Sequence, residues 1–300
     1  MDILKVTNLS KSFSSQKIID NLSFKVGEKT IYGFIGENGA GKTTTMKMIL
    51  GLLKSDDGII EINGEKVIYG DTKTNKYIGY LPDVPEFYGY MTAYEYLNLC
   101  GEITGIPKEE RMVRIVRLLE MVGLENSKKR INGFSRGMKQ RLGIAQGLLN
   151  KPKLLICDEP TSALDPIGRK EILDILKLVK EETTVIFSTH ILSDVENICD
   201  EIGLLHNGKL ALQGSLEEIK TLRKSEGFNI EFKSLEDAER FSKILPIECS
   251  NNKPILEYIE KSEEDMGYAM KLLYENKIYP LKIEMREPTL ESLFMEVVSK

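Results

Sequence analysis

The stretch Gly36-Glu37-Asn38-Gly39-Ala40-Gly41-Lys42-Thr43 fits the pattern G-x-x-x-x-G-K-[ST] at every position. Its flanks match as well, because an apolar, β-prone run precedes it over residues 30–35 and residues 42–53 have a helical composition. A strand, a glycine-rich loop and a helix in this order form a P-loop, which holds the phosphates of a nucleotide. A glycine-rich turn that only happens to precede a helix is the alternative, and the matching flanks argue against it.

The residue types of this loop suit a triphosphate. Its backbone N–H groups turn inward and lead into the positive end of a helix, and glycines let the main chain approach the phosphates closely. Lys42 is expected to reach the β- and γ-phosphates, and the Thr43 hydroxyl to bind Mg²⁺. The predicted nucleotide-binding residues here are Gly36, Glu37, Asn38, Gly39, Ala40, Gly41, Lys42, Thr43 and Thr44.

The composition is that of a globular protein. The 300 residues carry a formal net charge of −5, which argues against a general nucleic-acid binder. Apolar runs are only a few residues long, whereas about 20 residues are needed to span a bilayer, and no secretory signal opens the chain. The four cysteines form no C-x-x-C pair, which is typical of reduced thiols in a cytosol; they are Cys100, Cys157, Cys199 and Cys249.

Alternating strand-like and helical runs predict an α/β fold with a P-loop NTPase core. Two β-prone runs within residues 2–28, joined by a polar turn, predict an antiparallel β edge. Residues 154–157 form an apolar run typical of a strand buried on both faces of a parallel sheet. Between about residues 86 and 149, apolar positions recur at spacings of three and four, which predicts an α-helical insertion.

The charge pattern changes near residue 215. We expect a nucleotide-binding domain over residues 1–215, a charged helix and linker over 216–227, and an accessory domain over 228–300. The accessory domain is predicted to be a small α+β unit of the split βαβ type. Its expected strands lie at 228–233, 246–249, 254–260 and 280–285, and its expected helices at 235–245, 263–277 and from Thr289 onward.

Two adjacent carboxylates, Asp158 and Glu159, end the buried run at the sheet edge where such folds bind ligands. Neighbouring side chains of an extended segment point to opposite sides. We therefore expect Asp158 to hold Mg²⁺ near Thr43, and Glu159 to face the attacking water as general base or positioning group. His190 follows the next strand, where it is expected to contact the γ-phosphate or that water. His206 lies in a turn and is interpreted as structural.

A second anion-binding turn is predicted at residues 132–141, where Ser135 and the amides near Gly137 open a helix. One chain then carries two phosphate-binding elements. In a head-to-tail pair, each protomer supplies this turn to the P-loop of the other, so that both elements bind one ligand. Upstream of the P-loop, Phe13 is either a stacking surface for an adenine ring or an ordinary core residue.

With these motifs in this order, residues 1 to about 215 resemble the ATP-binding cassette (ABC) family, in particular ATPase subunits of exporters that handle bacitracin-like peptides and other drugs. The resemblance implies an ATP-hydrolysing sandwich dimer with a second, identical or related protomer, and ATP with Mg²⁺ as ligands. It implies that Phe13 stacks on adenine, that Lys42 and Glu159 act in catalysis and that His190 is the switch histidine. The signature turn would supply Ser135, Arg136, Gly137 and Met138, and the D-loop at 162–165 would supply Asp165.

Two positions depart from the family's common pattern. Arg136 stands in Phe134-Ser135-Arg136-Gly137-Met138, where the family norm is Leu-Ser-Gly-Gly-Gln. Asp83 takes the place of a glutamine; a carboxylate can still bind Mg²⁺ or its water, but it cannot donate a hydrogen bond as an amide does. The metal-binding residues implied by the resemblance are therefore Thr43, Asp83 and Asp158.

The resemblance also implies a separately encoded integral membrane permease that selects the substrate. It would dock beside the aromatic stretch of residues 84–90, for which local packing is the alternative interpretation. The protein would then be cytoplasmic and peripheral on the inner face of the cell membrane, with no nucleic-acid partner. The alternative functions are a soluble ABC-type ATPase in translation, repair or assembly, and a GTPase or small-molecule kinase.

Overall fold

A computed structural model describes residues 2–125, 128–221, 227–246, 254–259, 261–286, 290–291 and 293–294. The chain divides into two compact units, Met1–Leu216 and Glu217–Lys300. None of the helices in these described ranges is long and apolar enough to cross a bilayer.

The first unit alternates strands and helices. Its strands are β1 (Asp2–Phe13), β2 (Gln16–Gly27), β3 (Ile31–Ile35), β4 (Asp57–Ile62), β5 (Glu65–Lys66), β6 (Ile78–Leu81), β7 (Leu154–Asp158), β8 (Thr184–Thr189), β9 (Glu201–His206) and β10 (Lys209–Ser215). Its helices are α1 (Lys42–Ile49), α2 (Ala93–Ile103), α3 (Lys108–Met121), α4 (Arg136–Leu148), α5 (Pro166–Val179) and α6 (Leu192–Ile198), and α7 (Leu216–Thr221) begins at the boundary.

A six-stranded sheet in the order β10-β9-β3-β8-β7-β6 forms the centre of this unit. Strands β6, β7, β8, β3 and β9 are parallel, and every residue of β3, β7 and β8 is buried. This burial explains why the centre of each strand is an apolar run rather than an alternating pattern, with polar residues confined to the strand ends. In the register of the sheet, Ile35 lies beside Thr189 and Asp158 beside Ser188. The P-loop and the acidic pair therefore start from the same edge.

A second, antiparallel sheet in the order β2-β1-β4-β5 covers the core. Alternate side chains of β2 are buried over residues 22–26. Leu4 of β1 and Phe24 of β2 pack in one cluster with Tyr32, Met46 and Ile156. The predicted α/β fold, with a P-loop core and an antiparallel β edge, is confirmed. The helical insertion consists of α2, α3 and α4.

Some elements differ from the sequence prediction. Helix α1 stops at Ile49 instead of reaching Leu53, because Gly51 follows in the left-handed conformation (φ 68°) that ends helices. Helix α6 and the hairpin of β9 and β10 were not predicted. The hairpin turns at Asn207 and Gly208, both with positive φ, so this Asn-Gly pair was the available signal.

The second unit contains β11 (Gly227–Glu231), α8 (Leu235–Ile244), β12 (Ile255–Ile259), α9 (Glu263–Glu275) and β13 (Lys282–Met285). Its described strands form an antiparallel sheet in the order β12-β11-β13. Phe228, Ile230 and Phe232 pack against Phe241 of α8 and Leu273 of α9. The strand expected at 246–249 and most of the last helix lie outside the described residues.

Candidate functional site

The P-loop joins β3 to α1, and its glycines are required by geometry. Gly39 and Gly41 have φ values of 89° and 107°, which L-residues with side chains rarely adopt. A Cβ atom on Gly41 would lie 2.5 Å from Ile19 Cδ1, and one on Gly36 would lie 2.6 Å from the carbonyl oxygen of Leu205. The loop is thus packed closely against β2 and β9. It can follow this path only because glycines, which have no side chain, occupy these positions.

Lys42, the first residue of α1, is only 6% exposed. Its Nζ donates a hydrogen bond to the carbonyl oxygen of Gly36 at 2.7 Å and lies 3.2 Å from Glu159 Oε1. The ammonium group is therefore held inside the curve of the loop, next to a carboxylate. A cation at this point is suited to the outer phosphates of a nucleotide.

Asp158, at the end of β7, is held by two hydroxyl groups. Thr43 Oγ1 donates to its Oδ2 at 2.8 Å, and Ser188 Oγ donates to its Oδ1 at 2.6 Å. Burial, together with the Asp158 charge, raises the pKa of Tyr80 to about 12, so this neighbouring phenol stays protonated. Thr43 and Asp158 present adjacent hard oxygen atoms, a donor pair that fits Mg²⁺, which takes few protein ligands beside phosphates and water.

Glu159 contacts a different set of groups. Its Oε2 lies 2.9 Å from His190 Nδ1, and its backbone N–H donates to Ser188 Oγ at 3.0 Å. The expectation that Asp158 and Glu159 share an extended segment is wrong, because Glu159 has a φ of 49°. A sharp turn after the strand, rather than strand alternation, directs the two carboxylates to separate partners.

Lys42, Thr43 and Glu159 border a cleft of about 420 Å³. Asp158 and His190 lie outside its lining, in contact with Thr43 and Glu159 respectively. Its lining contains Phe13, Ile18, Glu37, Asn38, Gly39, Gly41, Lys42, Thr43, Thr44, Asp83 and Glu159. Phe13 is 47% exposed at the end of β1, with Lys11 Nζ 5.3 Å from the centre of its ring. The possibility that Phe13 is a core residue is therefore wrong, and its free face is available for a base.

The signature turn lies outside the lining of this cleft. Ser135 caps α4, because its side chain accepts a hydrogen bond from the backbone N–H of Met138 at 3.2 Å. A Cβ atom on Gly137 would meet only Leu164 Cδ2, at 3.9 Å, so the turn is open at this point. Asp165, the N-cap residue of α5, is also exposed. The structure therefore separates the P-loop set from the signature turn and Asp165.

Two residues that support the site were not predicted from the sequence. Ser188 hydrogen-bonds both the Asp158 carboxylate and the backbone N–H of Glu159. The available signal for Ser188 was its place as a polar residue at the end of a buried strand. Asp194, which is 1% exposed, accepts hydrogen bonds from Thr161 Oγ1 at 2.7 Å and Arg169 Nε at 2.5 Å. This buried carboxylate ties the segment after Glu159 to the helix that follows His190.

Other residues singled out in the sequence lie away from the cleft. His206 ends β9 and lies 2.9 Å from the Asn207 side chain. Burial raises the pKa of the thiols of Cys157 and Cys199 well above its ordinary value, which keeps them unreactive. Within the described residues no group of three or more His, Cys, Asp or Glu residues forms a further metal site.

The aromatic stretch of residues 84–90 combines packing and exposure. The ring of Phe87 contacts Tyr96 of α2 edge to face, with ring centres 5.1 Å apart. Tyr88 and Tyr90 are 55% and 62% exposed, and their rings lie 5.9 Å apart. One part of the stretch therefore anchors it to the insertion, while the other part presents an apolar surface.

Comparison with known proteins gives a consistent result. A family model described as ABC transporter matches residues 19–162. The bacitracin transport ATP-binding protein BcrA of Bacillus licheniformis is 42% identical over 307 residues, which cover 99% of this chain and 97% of BcrA. Among solved structures, cbiO1 of Clostridium perfringens, part of the ABC transporter complex cbiONQ, has a TM-score of 0.68 at 28% identity, covering 73% of this chain and 91% of cbiO1.

A dimeric post-hydrolysis state of the ATP-binding cassette MJ0796, bound to ADP and Pi, has a TM-score of 0.62 at 25% identity. The similarity covers 71% of this chain and 98% of that one. The nucleotide cleft, the fold and the near full-length relative agree with one another. They show that this chain belongs to the ABC transporter family, as one of its ATP-binding, ATP-hydrolysing proteins.

Proposed function

We propose that this chain is the ATPase subunit of an exporter, which dimerises head to tail on ATP and drives a separate membrane permease. One observation carries the proposal: Lys42, Thr43 and Glu159 line a single cleft. Thr43 is hydrogen-bonded to the Asp158 carboxylate, and the Glu159 carboxylate lies 2.9 Å from His190 Nδ1. The signature turn lies outside that cleft, and a second protomer would bring its own turn to it.

Glu159 is the base of the proposed mechanism. When a water molecule attacks the γ-phosphorus, it gives up a proton as the P–O bond to the β-phosphate breaks. The Glu159 carboxylate is held by His190 at 2.9 Å and by Lys42 at 3.2 Å, so its position is fixed before the reaction. Such a positioned base contributes about 10²–10⁴-fold to a rate. Lys42 offsets the charge on the outer phosphates.

Mg²⁺ would be bound by Thr43 and Asp158, and Asp83 would bind it directly or through a water molecule. Ser188 holds the Asp158 carboxylate in place through its other oxygen atom. When bound, the metal ion supplies neutralisation of phosphate charge and orientation of the γ-phosphate.

The proposed permease contact is the exposed part of the aromatic stretch at residues 84–90, where Tyr88 and Tyr90 present their rings. Aromatic side chains of this kind are enriched at protein interfaces. The name of BcrA and the complex that contains cbiO1 both connect such chains with transport. We therefore expect this protein to be cytoplasmic and bound to the inner face of the membrane through the permease.

The test uses a tagged Glu159→Gln variant, expressed in the native cell with ATP present and purified after gentle solubilisation of the membranes. We expect an integral membrane protein to co-purify in about one-to-two or two-to-two ratio with the ATPase chain. The same preparation of Lys42→Ala, which fails to bind ATP, should yield less of that complex. Ribosomes or soluble assembly factors without a membrane protein would contradict the transport function and leave the ATPase activity in place.

A further inference from the structure

The two positions that depart from the family's pattern contact each other. Arg136 Nη2 donates a hydrogen bond to Asp83 Oδ1 at 3.1 Å, although the residues are 53 positions apart in the sequence. Arg136 is the first residue of α4 in the signature turn, whereas Asp83 lines the nucleotide cleft of the same protomer. The pair therefore links the signature turn to a residue that lines the nucleotide cleft of the same chain.

The backbone around Asp83 is fixed against α4. Gln140, which is fully buried, donates from Nε2 to the carbonyl oxygen of Asp83 at 2.7 Å. A Cβ atom on Gly143 would lie 2.4 Å from Leu81 Cδ1, so the helix and the end of β6 are in close contact. The main chain at Asp83 is thus held by α4, whereas the Asp83 carboxylate and the Arg136 guanidinium are both partly exposed.

The Arg136–Asp83 ion pair is weak enough for Arg136 to exchange Asp83 for another acceptor. A cation in the first turn of a helix is disfavoured by the helix dipole, and the Asp83 carboxylate offsets this effect. The two side chains are 41% and 47% exposed, and pairs with such exposure change an equilibrium constant by about two- to fivefold. A guanidinium binds carboxylate and phosphate oxygens through the same donors, so a phosphate can replace Asp83 as its acceptor.

We propose that Asp83 holds Arg136 within the free subunit, and that Arg136 passes to the terminal phosphate of the partner's nucleotide when the dimer forms. The inference rests on the proposed head-to-tail dimer and adds a residue to its binding site. Asp83 is also one of the residues that would hold Mg²⁺ in its own cleft, and a carboxylate engaged there would no longer accept a hydrogen bond from the Arg136 guanidinium. Nucleotide in one site thus prepares the signature turn for the other site.

The test is a double-mutant cycle on dimer formation, with all proteins in the Glu159→Gln background. The dimer dissociation constant in ATP and Mg²⁺ is measured by analytical ultracentrifugation for the parent, Arg136→Gly, Asp83→Asn and the double variant. If Arg136 passes from Asp83 to the partner's nucleotide, Arg136→Gly should weaken the dimer more strongly in the Asp83→Asn background. In that background Arg136 contacts the phosphate without first losing its ion pair with Asp83. With two pairs per dimer, the difference is about four- to 25-fold.

A fixed brace gives no difference between the two backgrounds. If Arg136 stayed bound to Asp83 equally in the free subunit and in the dimer, the pair would cancel from the dimerisation equilibrium, and Arg136→Gly would have the same effect with Asp83 or with Asn at position 83. An equal effect, or a smaller one in the Asp83→Asn background, would overturn the proposal. No effect of Arg136→Gly in either background would also overturn it. Lys177→Gln, which removes an exposed cation of α5 outside both phosphate-binding elements, serves as the control for net charge and should leave the dimer dissociation constant unchanged in both backgrounds. ATP binding without ATP-dependent dimerisation in the parent would instead contradict the proposed head-to-tail function itself.

Discussion

Ser188→Ala removes one hydroxyl group that contacts both the carboxylate of Asp158, the proposed metal ligand, and the backbone of Glu159, the proposed base. Ser188 Oγ donates to Asp158 Oδ1 at 2.6 Å and accepts from the backbone N–H of Glu159 at 3.0 Å. The Glu159 N–H keeps a second acceptor, the Ser188 carbonyl oxygen at 3.2 Å. The main loss is therefore the hydrogen bond to the buried Asp158 carboxylate, and almost no volume is vacated.

The size of the effect follows from that one bond. A hydrogen bond to a charged group contributes about 1.5–3 kcal/mol, so the free energy of unfolding of the first unit should fall by about 2 kcal/mol. For a unit of this length, such a loss lowers Tm by about 4–8 °C. ATP turnover should fall about tenfold or more, because the Asp158 side chain loses the group that orients it.

Urea unfolding and a phosphate-release assay measure the two effects. The matched control is Thr184→Val at the opposite end of β8. Thr184 Oγ1 accepts a hydrogen bond from the Lys29 N–H at 2.8 Å, and Thr184 lies beside Leu154, whereas Ser188 lies beside Asp158. This control should cost about 1 kcal/mol of stability with no change in turnover. A Ser188→Ala protein with unchanged stability and turnover would show that Ser188 does not support the carboxylates.

Three further results are expected. Phe13→Ala should weaken ATP binding about tenfold in calorimetric titrations with Tm unchanged, because a half-exposed ring offers stacking rather than core packing; unchanged affinity would exclude base stacking. Asp194→Asn should lower the free energy of unfolding in urea by about 1.5–3 kcal/mol, since Arg169 loses a buried charged acceptor; a neutral result would contradict that bond. Burial raises the pKa of the Cys157 and Cys199 thiols, so at pH 8 iodoacetamide should label these two cysteines only after unfolding, with the labelled positions identified by peptide mass spectrometry; labelling at either position in the folded protein would show that it is accessible.

Local sequence patterns predicted the loops, strands and helices whose formation depends on residues close together in the chain. The P-loop, the buried strand before Asp158 and the helices of the insertion each have a continuous signal, and each is present in the structure. The hairpin of β9 and β10 has a weaker signal, because its second strand is half exposed along its length. Its formation depends on pairing with the edge of the parallel sheet.

Contacts between distant residues could not be predicted in the same way. Ser188 supports Asp158 only because β7 and β8 are adjacent in a particular register. Arg136 and Asp83 appeared as two separate departures from a pattern, and only the packing of α4 against the end of β6 shows that they are a pair. The positive φ of Glu159 likewise depends on the hydrogen bonds of its backbone to Ser188.

The role of Glu159 as the base for ATP hydrolysis is tested most directly by phosphate release from Glu159→Gln and the unaltered protein at saturating ATP and Mg²⁺. We expect release to fall by about 10²–10⁴-fold while ATP still binds and the dimer persists. Glu181→Gln, an exposed carboxylate after α5, is the matched control and should retain full turnover. Phosphate release by Glu159→Gln within about twofold of the unaltered rate, a difference below that of a lost base, would contradict the assignment of Glu159.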